Sequence, residues 1–578
     1  MLSQLIHAAR LLARDYAAHT AVRHATTSPD RRDDSGLLDN VDATTADATT
    51  VEAAAWWYLK SGDARRAANL CEAASAKHAA DESLFKVWIA ALRQLDEPAT
   101  ALDLATTAAA KQRDPLFLLQ ERLLLLPLAF HDAAERQQHY ARFLHGLAEF
   151  DAITATLTAA SARRVLDQLS PNFELAYLGC DVTAALQHYG RTLQRLAAIA
   201  WPQWVAPLPR NPVATPRRLR IGYVSAHLHI HSASLLAYGW MTSHSREQFE
   251  VHIYHVGDKH DVLTGKLAHE CEHFVQIGSS LESACAQILA DQLDILVYVD
   301  IGMEMLTSLM ASLRLAPLQC ATWAHPISTG LPTIDVFISN TAMEPASGQA
   351  HYNEHLLQLP GTGACLQAPW LTPLTCTRRD FAVDDSAVVY LSLQPITKYL
   401  AEHDGVFANI ASQVRNARFL FMEADTAELT QVLQQRLQRA FAARGLNAAH
   451  HLRWLPRMDY DRYLQLLQLA DVFLDPPGAW SAGITATEAI ACALPLVTWP
   501  GEFLRSRQAC GMLRVLGITD TIACDSADYI AIATRLGNDR DFRNAVRGQL
   551  QQRQSQLFGD TRCMQALEAF YRNQFFQR

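Results

Sequence analysis

Short apolar runs separated by helical stretches occur in two successive series between residues 218 and 499 of this 578-residue chain, and this pattern restricts its fold more than any other feature. The first series is RLRIGYVS at 218–225, FEVHIYHV at 249–256, DILVYVD at 294–300 and DVFIS at 335–339. The second is AVVYLSL at 387–393, ARFLFM at 417–422, LRWL at 452–455, DVFLD at 471–475 and PLVTW at 495–499. Strands that are apolar throughout and alternate with helices belong in parallel sheets covered on both faces. Two such series predict two Rossmann-like halves, at 217–380 and 381–578. Such sheets bind ligands beyond the carboxyl ends of their strands, so the loops after each run are where chemistry is expected.

The first 205 residues follow a different rule and predict an all-α domain. In VEAAAWWYLKSGDARRAANLCEAA, Ala and aromatic residues recur at helical spacing, broken once at Ser61-Gly62-Asp63, which gives two helices joined by a tight turn. A weaker copy follows 34 residues later: Ala67 and Leu70 map onto Ala101 and Leu104, and Asp63-Ala64 onto Glu97-Pro98. That offset is the tetratricopeptide period. An ordinary Ala-rich bundle is the competing reading, and both are helical. Residues 26–50 are polar and read as a linker or mobile loop, and Pro202, Pro207, Pro209, Pro212 and Pro216 mark the passage to the two-sheet region.

Composition narrows the function classes. A hydrophobic fraction of 49% with 19% charged residues is that of a globular protein, and a net charge of −9 gives no reason to expect nucleic acid as a partner. The opening MLSQLIHAARLLARDYAAH is an amphipathic helix interrupted by His7, Arg10 and Arg14, without the apolar core or cleavage site of a signal peptide. No run reaches the roughly 18 apolar residues of a membrane span. A cytoplasmic protein without stable membrane insertion is expected. The eleven cysteines are scattered singly, with no CxxC pair and no Cys/His cluster at zinc spacing, so no metal is expected. His227, His229 and His231 alternate, but in an extended loop such side chains need not converge, and no carboxylate or thiol lies nearby in sequence.

The segment from Ala470 to Glu502 carries the clearest chemistry. A strand ends at Asp475, a loop of small residues follows, and a helix starting near Thr485 carries Glu488 in its first turn. Backbone N–H groups at such a helix start hold a diphosphate, and a carboxylate accepts hydrogen bonds from ribose hydroxyls. Lys398, in YLSLQPITKYL, follows the first strand of the second half, and Gln394 precedes it in the same loop.

These segments resemble glycosyltransferase family 41, over about residues 218–510. RLRIGYVSAHLHIHSAS resembles the family segment ending in a histidine that faces the active site, and His231 falls on that histidine. APLQCATWAHP at 316–326 resembles the segment leading to a tryptophan and a histidine- or tyrosine-proline pair, which singles out His325. LADVFLDP, PLVTWPGE, Arg505 and Arg507 resemble the second-half signature. The resemblance implies a GT-B fold with a helical N-terminal domain. It also implies a metal-independent, inverting enzyme without a cofactor, which moves a sugar from UDP-glucose or UDP-GlcNAc to Asn or Ser/Thr of a protein acceptor. Under it Lys398 meets the donor diphosphate with Gln394 in support, and main-chain groups at Met458 read uracil beside Tyr463. Gly483, Ile484, Thr485 and Glu488 then hold the diphosphate and ribose. Animal O-linked members show a His-Thr-Thr stretch near Gly483, which Ser481, Ile484 and Thr485 largely replace here, so backbone N–H groups would carry more of the diphosphate binding. A GT-B transferase acting on a lipid or small-molecule glycoside, or an inactive helical scaffold, are the competing readings.

Overall fold

The computed structural model describes residues 41–210, 217–278 and 280–576. The amphipathic segment at the start, positions 26–40 of the polar segment, Pro212 and Pro216 lie outside the described residues.

The described residues begin with two helical hairpins, Ala48–Lys60 with Ala64–Ser75 and Glu82–Gln94 with Pro98–Lys111. Their first residues are 34 apart, 82 − 48 and 98 − 64, as a tetratricopeptide period requires. Asp47, Asp63 and Asp81 start three of these helices by accepting N–H bonds from Thr50, Arg66 and Leu84. Ala67 and Ala101 occupy equivalent, fully buried positions where only a small side chain lets the helices close. The polar segment is shorter than its sequence reading, because Ala48–Thr50 already forms helix behind the Asp47 cap.

Each half of the remainder is a parallel sheet. The first comprises β1 (Leu219–Ser225), β2 (Phe249–His255), β3 (His273–Gln276), β4 (Ile295–Tyr298), β5 (Leu318–Thr322), β6 (Val336–Asn340) and β7 (His355–Leu359), in the order β3-β2-β1-β4-β5-β6-β7. The second comprises β8 (Val388–Ser392), β9 (Ala417–Met422), β10 (Leu452–Leu455), β11 (Val472–Leu474) and β12 (Leu496–Val497), in the order β10-β9-β8-β11-β12. The order reverses beside β1 and beside β8, the switch points where such sheets hold ligands. Three strands escape the apolar-run pattern. β3 and β7 are half-exposed edge strands, and β5 lies in the APLQCATWAHP segment that drew notice for its motif.

The main chain crosses between the halves twice. It leaves the first sheet after β7 and enters the second at β8, and it returns so that the final helix, Arg562–Phe575, packs on the first half. There Glu568 accepts from Ser245 N–H at 2.8 Å and lies 3.2 Å from His244, and the Cys365 and Cys563 sulfurs sit 3.4 Å apart.

Burial does not divide the chain at residue 205. The hairpins hold one small core of their own and share a second with Phe117, Leu118 and Leu125, whereas one continuous core runs from Leu119 through Trp201 into both sheets. Helix Thr183–Ala200 is pressed onto the first half at two glycines. A Cβ on Gly190 would lie 2.2 Å from the Gly330 carbonyl oxygen, and one on Gly330, at φ +68°, would lie 2.0 Å from the Leu186 oxygen. Helices 119–200 are thus structural members of the two-sheet region. A chain starting at residue 212 therefore exposes the apolar partners of Trp201, Leu193 and Leu196, each worth about 1.5–3 kcal/mol of burial. It is expected to aggregate in size-exclusion chromatography, whereas the full chain stays monodisperse and melts cooperatively. A monodisperse chain from residue 212 with an unchanged melting temperature would contradict the shared core.

Candidate active site

The loop after β11 is built around one buried carboxylate. Asp475 is 1% exposed, and it accepts from Ser481 Oγ (2.8 Å), Ala482 N–H (2.6 Å) and Thr498 Oγ1 (2.6 Å), which folds residues 476–482 back over the strand end. Burial raises its pKa to about 6, against the lowering by these donors and by Lys398. The chain then turns at Gly483, whose φ of +58° places it in the region open to glycine, and helix Ile484–Ala491 begins. A Cβ here would also meet Gln508 Oε1 at 2.7 Å.

Lys398 closes this loop from the other side. A one-turn helix, Ile396–Lys398, follows β8 and turns the side chain inward, where Nζ donates to Gln394 Oε1 (2.9 Å) and to the Ser481 carbonyl (3.2 Å). Gln394 Nε2 donates in turn to Thr485 Oγ1 at 2.6 Å, and that hydroxyl donates to the Ala482 carbonyl. The structure therefore brings Lys398, Gln394 and Thr485 into one hydrogen-bonded cluster at the carboxyl end of the second sheet, at the helix start formed by Gly483 and Ile484. Lys398 Nζ also lies 5.5 Å from the centre of the Trp480 ring. Burial lowers its pKa to about 8, with Asp475 opposing, and among the described residues no carboxylate is within salt-bridge distance of it.

Glu488 sits differently from its sequence reading. It is the fifth residue of its helix, one turn beyond the first, and it does not cap the helix start. Its Oε1 accepts from Tyr460 Oη at 2.8 Å, while Oε2 is buried without a hydrogen-bond partner among the described residues. Burial pushes its pKa up to about 7, with the Tyr460 and Tyr463 hydroxyls opposing. Tyr463 stacks on Tyr460 with ring centres 6.2 Å apart. Met458 lies in the loop between β10 and helix Tyr460–Leu469, partly buried against the core. Tyr460, Tyr463 and Glu488 thus form a second group, with Met458 in the loop that leads into it.

The histidines divide. His325 Nδ1 lies 3.0 Å from the Ile301 carbonyl, which can only accept, so this nitrogen carries the proton and Nε2 presents a lone pair. That Nε2 is buried without a hydrogen-bond partner among the described residues, and burial lowers the ring's pKa to about 4. The ring stacks on Phe173 at 4.9 Å and lies 6.2 Å from Trp480, which joins it to the Lys398 cluster. His231 instead caps helix Ser232–Ser243, its Nδ1 accepting from Ala233 N–H at 3.2 Å, and its ring stacks on His227 at 4.2 Å. The His227–His231 loop faces Asp300, which accepts from Ala226 N–H and Ser225 Oγ.

Sequence reasoning missed Asp475, Trp480, Tyr460, Phe173 and Tyr177. Phe173 and Tyr177 come from a short turn of the N-terminal region, and their rings lie 5.8 and 5.0 Å from Trp480. Nothing local in their sequence signals this. Asp475 and Trp480 lay within the segment already singled out, and the position of an acid at a strand end before a small-residue loop was the available clue.

The raised pKa of Glu488 has a sign that can be tested. Below its unfolded value of about 4.5 the group is protonated in both states and costs nothing; between there and about 7 the folded state resists ionisation, and stability falls by about 3 kcal/mol before levelling off. Glu488→Gln does not titrate. It should match the parent near pH 4.5 and melt higher at pH 8, and an equal or lower melting temperature at pH 8 would show that the buried carboxyl carries no such cost.

Comparison with known proteins places this architecture. A profile of glycosyl transferase family 41 matches residues 181–367 and 364–567. The protein of Petunia hybrida named "Probable UDP-N-acetylglucosamine--peptide N-acetylglucosaminyltransferase SPINDLY" is 25% identical over 367 residues, 62% of this chain and 38% of that protein. The Arabidopsis thaliana protein of the same description named SEC is 24% identical over 310 residues, 52% of this chain and 31% of its own. The chain thus spans under two-fifths of the length of these relatives. An O-GlcNAc transferase mutant of Thermobaculum terrenum superposes with a TM-score of 0.66 at 20% identity, over 91% of this chain and 97% of that one, which shows a shared fold. With more than half of its length matched, through both sheets and the helix that docks on them, the chain belongs to glycosyl transferase family 41.

Proposed function

We propose that the chain is an inverting, metal-independent glycosyltransferase that moves a hexose or N-acetylhexosamine from a UDP-sugar to Asn or Ser/Thr of a protein acceptor. The observation that carries this reading is the buried ammonium of Lys398, held at a sheet's carboxyl end beside a glycine-opened helix start, with no carboxylate in salt-bridge distance among the described residues. A cation desolvated in that way is a receptor for an anion, and a leaving diphosphate is the anion this family's donors supply. The Gln394–Thr485 bridge fixes the lysine's direction, and it ties the lysine to the start of helix Ile484–Ala491, where backbone N–H groups would add to the binding of an anion. Met458, Tyr463 and Glu488 would take the base and ribose.

Inversion requires the acceptor to approach the anomeric carbon opposite the leaving diphosphate. In this reading His325 Nε2 accepts a hydrogen bond from the acceptor or a sugar hydroxyl and orients it, since a ring with a pKa of about 4 is a weak base. His231, its Nδ1 engaged by Ala233 N–H, carries its proton on Nε2 when neutral and is a donor toward sugar or phosphate oxygens. The helical hairpins would hold the protein acceptor, as arrays of this kind do with their extended surfaces. Among the described residues no helix is long and apolar enough to cross a membrane.

Lys398→Ala should lower kcat by roughly 100-fold or more, the scale of removing one preorganised stabiliser of developing charge. In the parent, kcat/KM should fall as pH rises past about 8, because the free enzyme loses the ammonium there. Intact-mass assays of acceptor with a panel of UDP-sugars measure both and identify the sugar; wild-type turnover in the variant would remove Lys398 from the reaction. Transfer should also persist in excess EDTA, and loss of activity that Mn²⁺ restores would refute metal independence.

A further inference from the structure

Far from these loops, at the starting ends of β2 and β3, three side chains converge. Glu250 and His252 are two residues apart on β2 and so share a face, and His252 pairs in register with His273, the first residue of β3. One ligand atom from each lies within 4.8 Å of the others. The Nε2 atoms of His252 and His273 are each 3.2 Å from the same oxygen, Glu250 Oε1, and the two rings stack at 4.2 Å and 21°.

We infer that Glu250, His252 and His273 form a site for one divalent transition-metal ion of the Zn²⁺ type. The spacing is the argument. Ligands about 2.0–2.1 Å from a tetrahedral zinc are about 3.3 Å from one another, so two imidazoles each 3.2 Å from a carboxylate oxygen already outline two edges of that tetrahedron. Imidazole and carboxylate together suit this metal class. Neighbouring groups hold the ligands in place. Arg218 and Arg220 each lie 3.6 Å from the other oxygen, Glu250 Oε2, which leaves Oε1 directed at the rings. The Arg218 guanidinium is already engaged by both oxygens of Glu272, at 2.8 Å each, so it opposes a bound cation less than a lone arginine would. The His252 ring is also stacked on Tyr254, whose hydroxyl is fixed by Asp291 at 2.7 Å. His273 and Glu250 are partly exposed, so a water can complete the coordination.

The cluster escaped sequence reasoning because its third member arrives from another strand, so no local spacing betrays it. It stands at the starting ends of the strands, opposite the ligand loops, and its role is structural. β3 is a four-residue edge strand, and a metal bound to one of its residues and two of β2 clips it to the sheet and covers the pairing edge.

The test uses the full chain without a histidine tag, stripped with chelator and titrated with ZnCl₂ by calorimetry. One ion per chain and a raised melting temperature are expected. His273→Ala, at a partly exposed position that the fold tolerates, should weaken this binding by at least roughly 10–100-fold and abolish the melting shift. Glu250→Gln, which keeps a hydrogen-bonding amide but not the anionic ligand, should do the same. Absence of stoichiometric binding in the parent would show that the three groups are only a hydrogen-bonded cluster and overturn the site. Unchanged binding in His273→Ala would overturn it as well, by placing the ion elsewhere.

Discussion

The candidate site depends on the carboxylate of Asp475. Without the bonds from Ser481 Oγ, Ala482 N–H and Thr498 Oγ1, the loop from Pro476 to Gly483 has no reason to fold back over β11. That fold-back puts the Ser481 carbonyl where Lys398 can donate to it, and it sets the start of helix Ile484–Ala491, whose Thr485 receives Gln394. A buried carboxyl is costly unless it is hydrogen-bonded, and here each bond that offsets the cost also places a functional group.

Burial governs the electrostatics throughout. It lowers Lys398 to about 8, His325 to about 4 and Arg505 to about 10, and it raises Glu488 to about 7. Each group is taken from water and left short of a full counter-charge. Such a site is organised before its ligand arrives, and a charged ligand supplies what the side chains lack. The N-terminal region contributes directly to this dryness, because Phe173 and Tyr177 cover Trp480 and Phe173 stacks on His325.

The two-sheet architecture was legible because strands buried on both faces must be apolar throughout, as in β1, β8 and β9. β3 and β7 were not, since edge strands alternate or are half wet. Lys398, Gln394 and Thr485 could be found because topology sends the residues after each strand to one end of the sheet. The contact of Phe173 with His325 joins positions 152 residues apart in the chain, 325 − 173, and no local pattern encodes it. For the same reason the break expected near residue 205 marks a change of periodicity, while the core continues across it.

The double crossing of the chain between the halves sets the mechanics of the cleft. One link joins β7 to β8, and the other brings helix Arg562–Phe575 home to the first sheet, where Glu568 and Cys563 fasten it. A body joined to another by a single strand can swing and twist in any direction, but one joined at two points behaves as a door on two pins. The two crossings thereby favour rotation about the line through them over free swinging of one half against the other. Sideways slippage, which would shear Lys398 away from His325, is resisted by covalent connectivity itself.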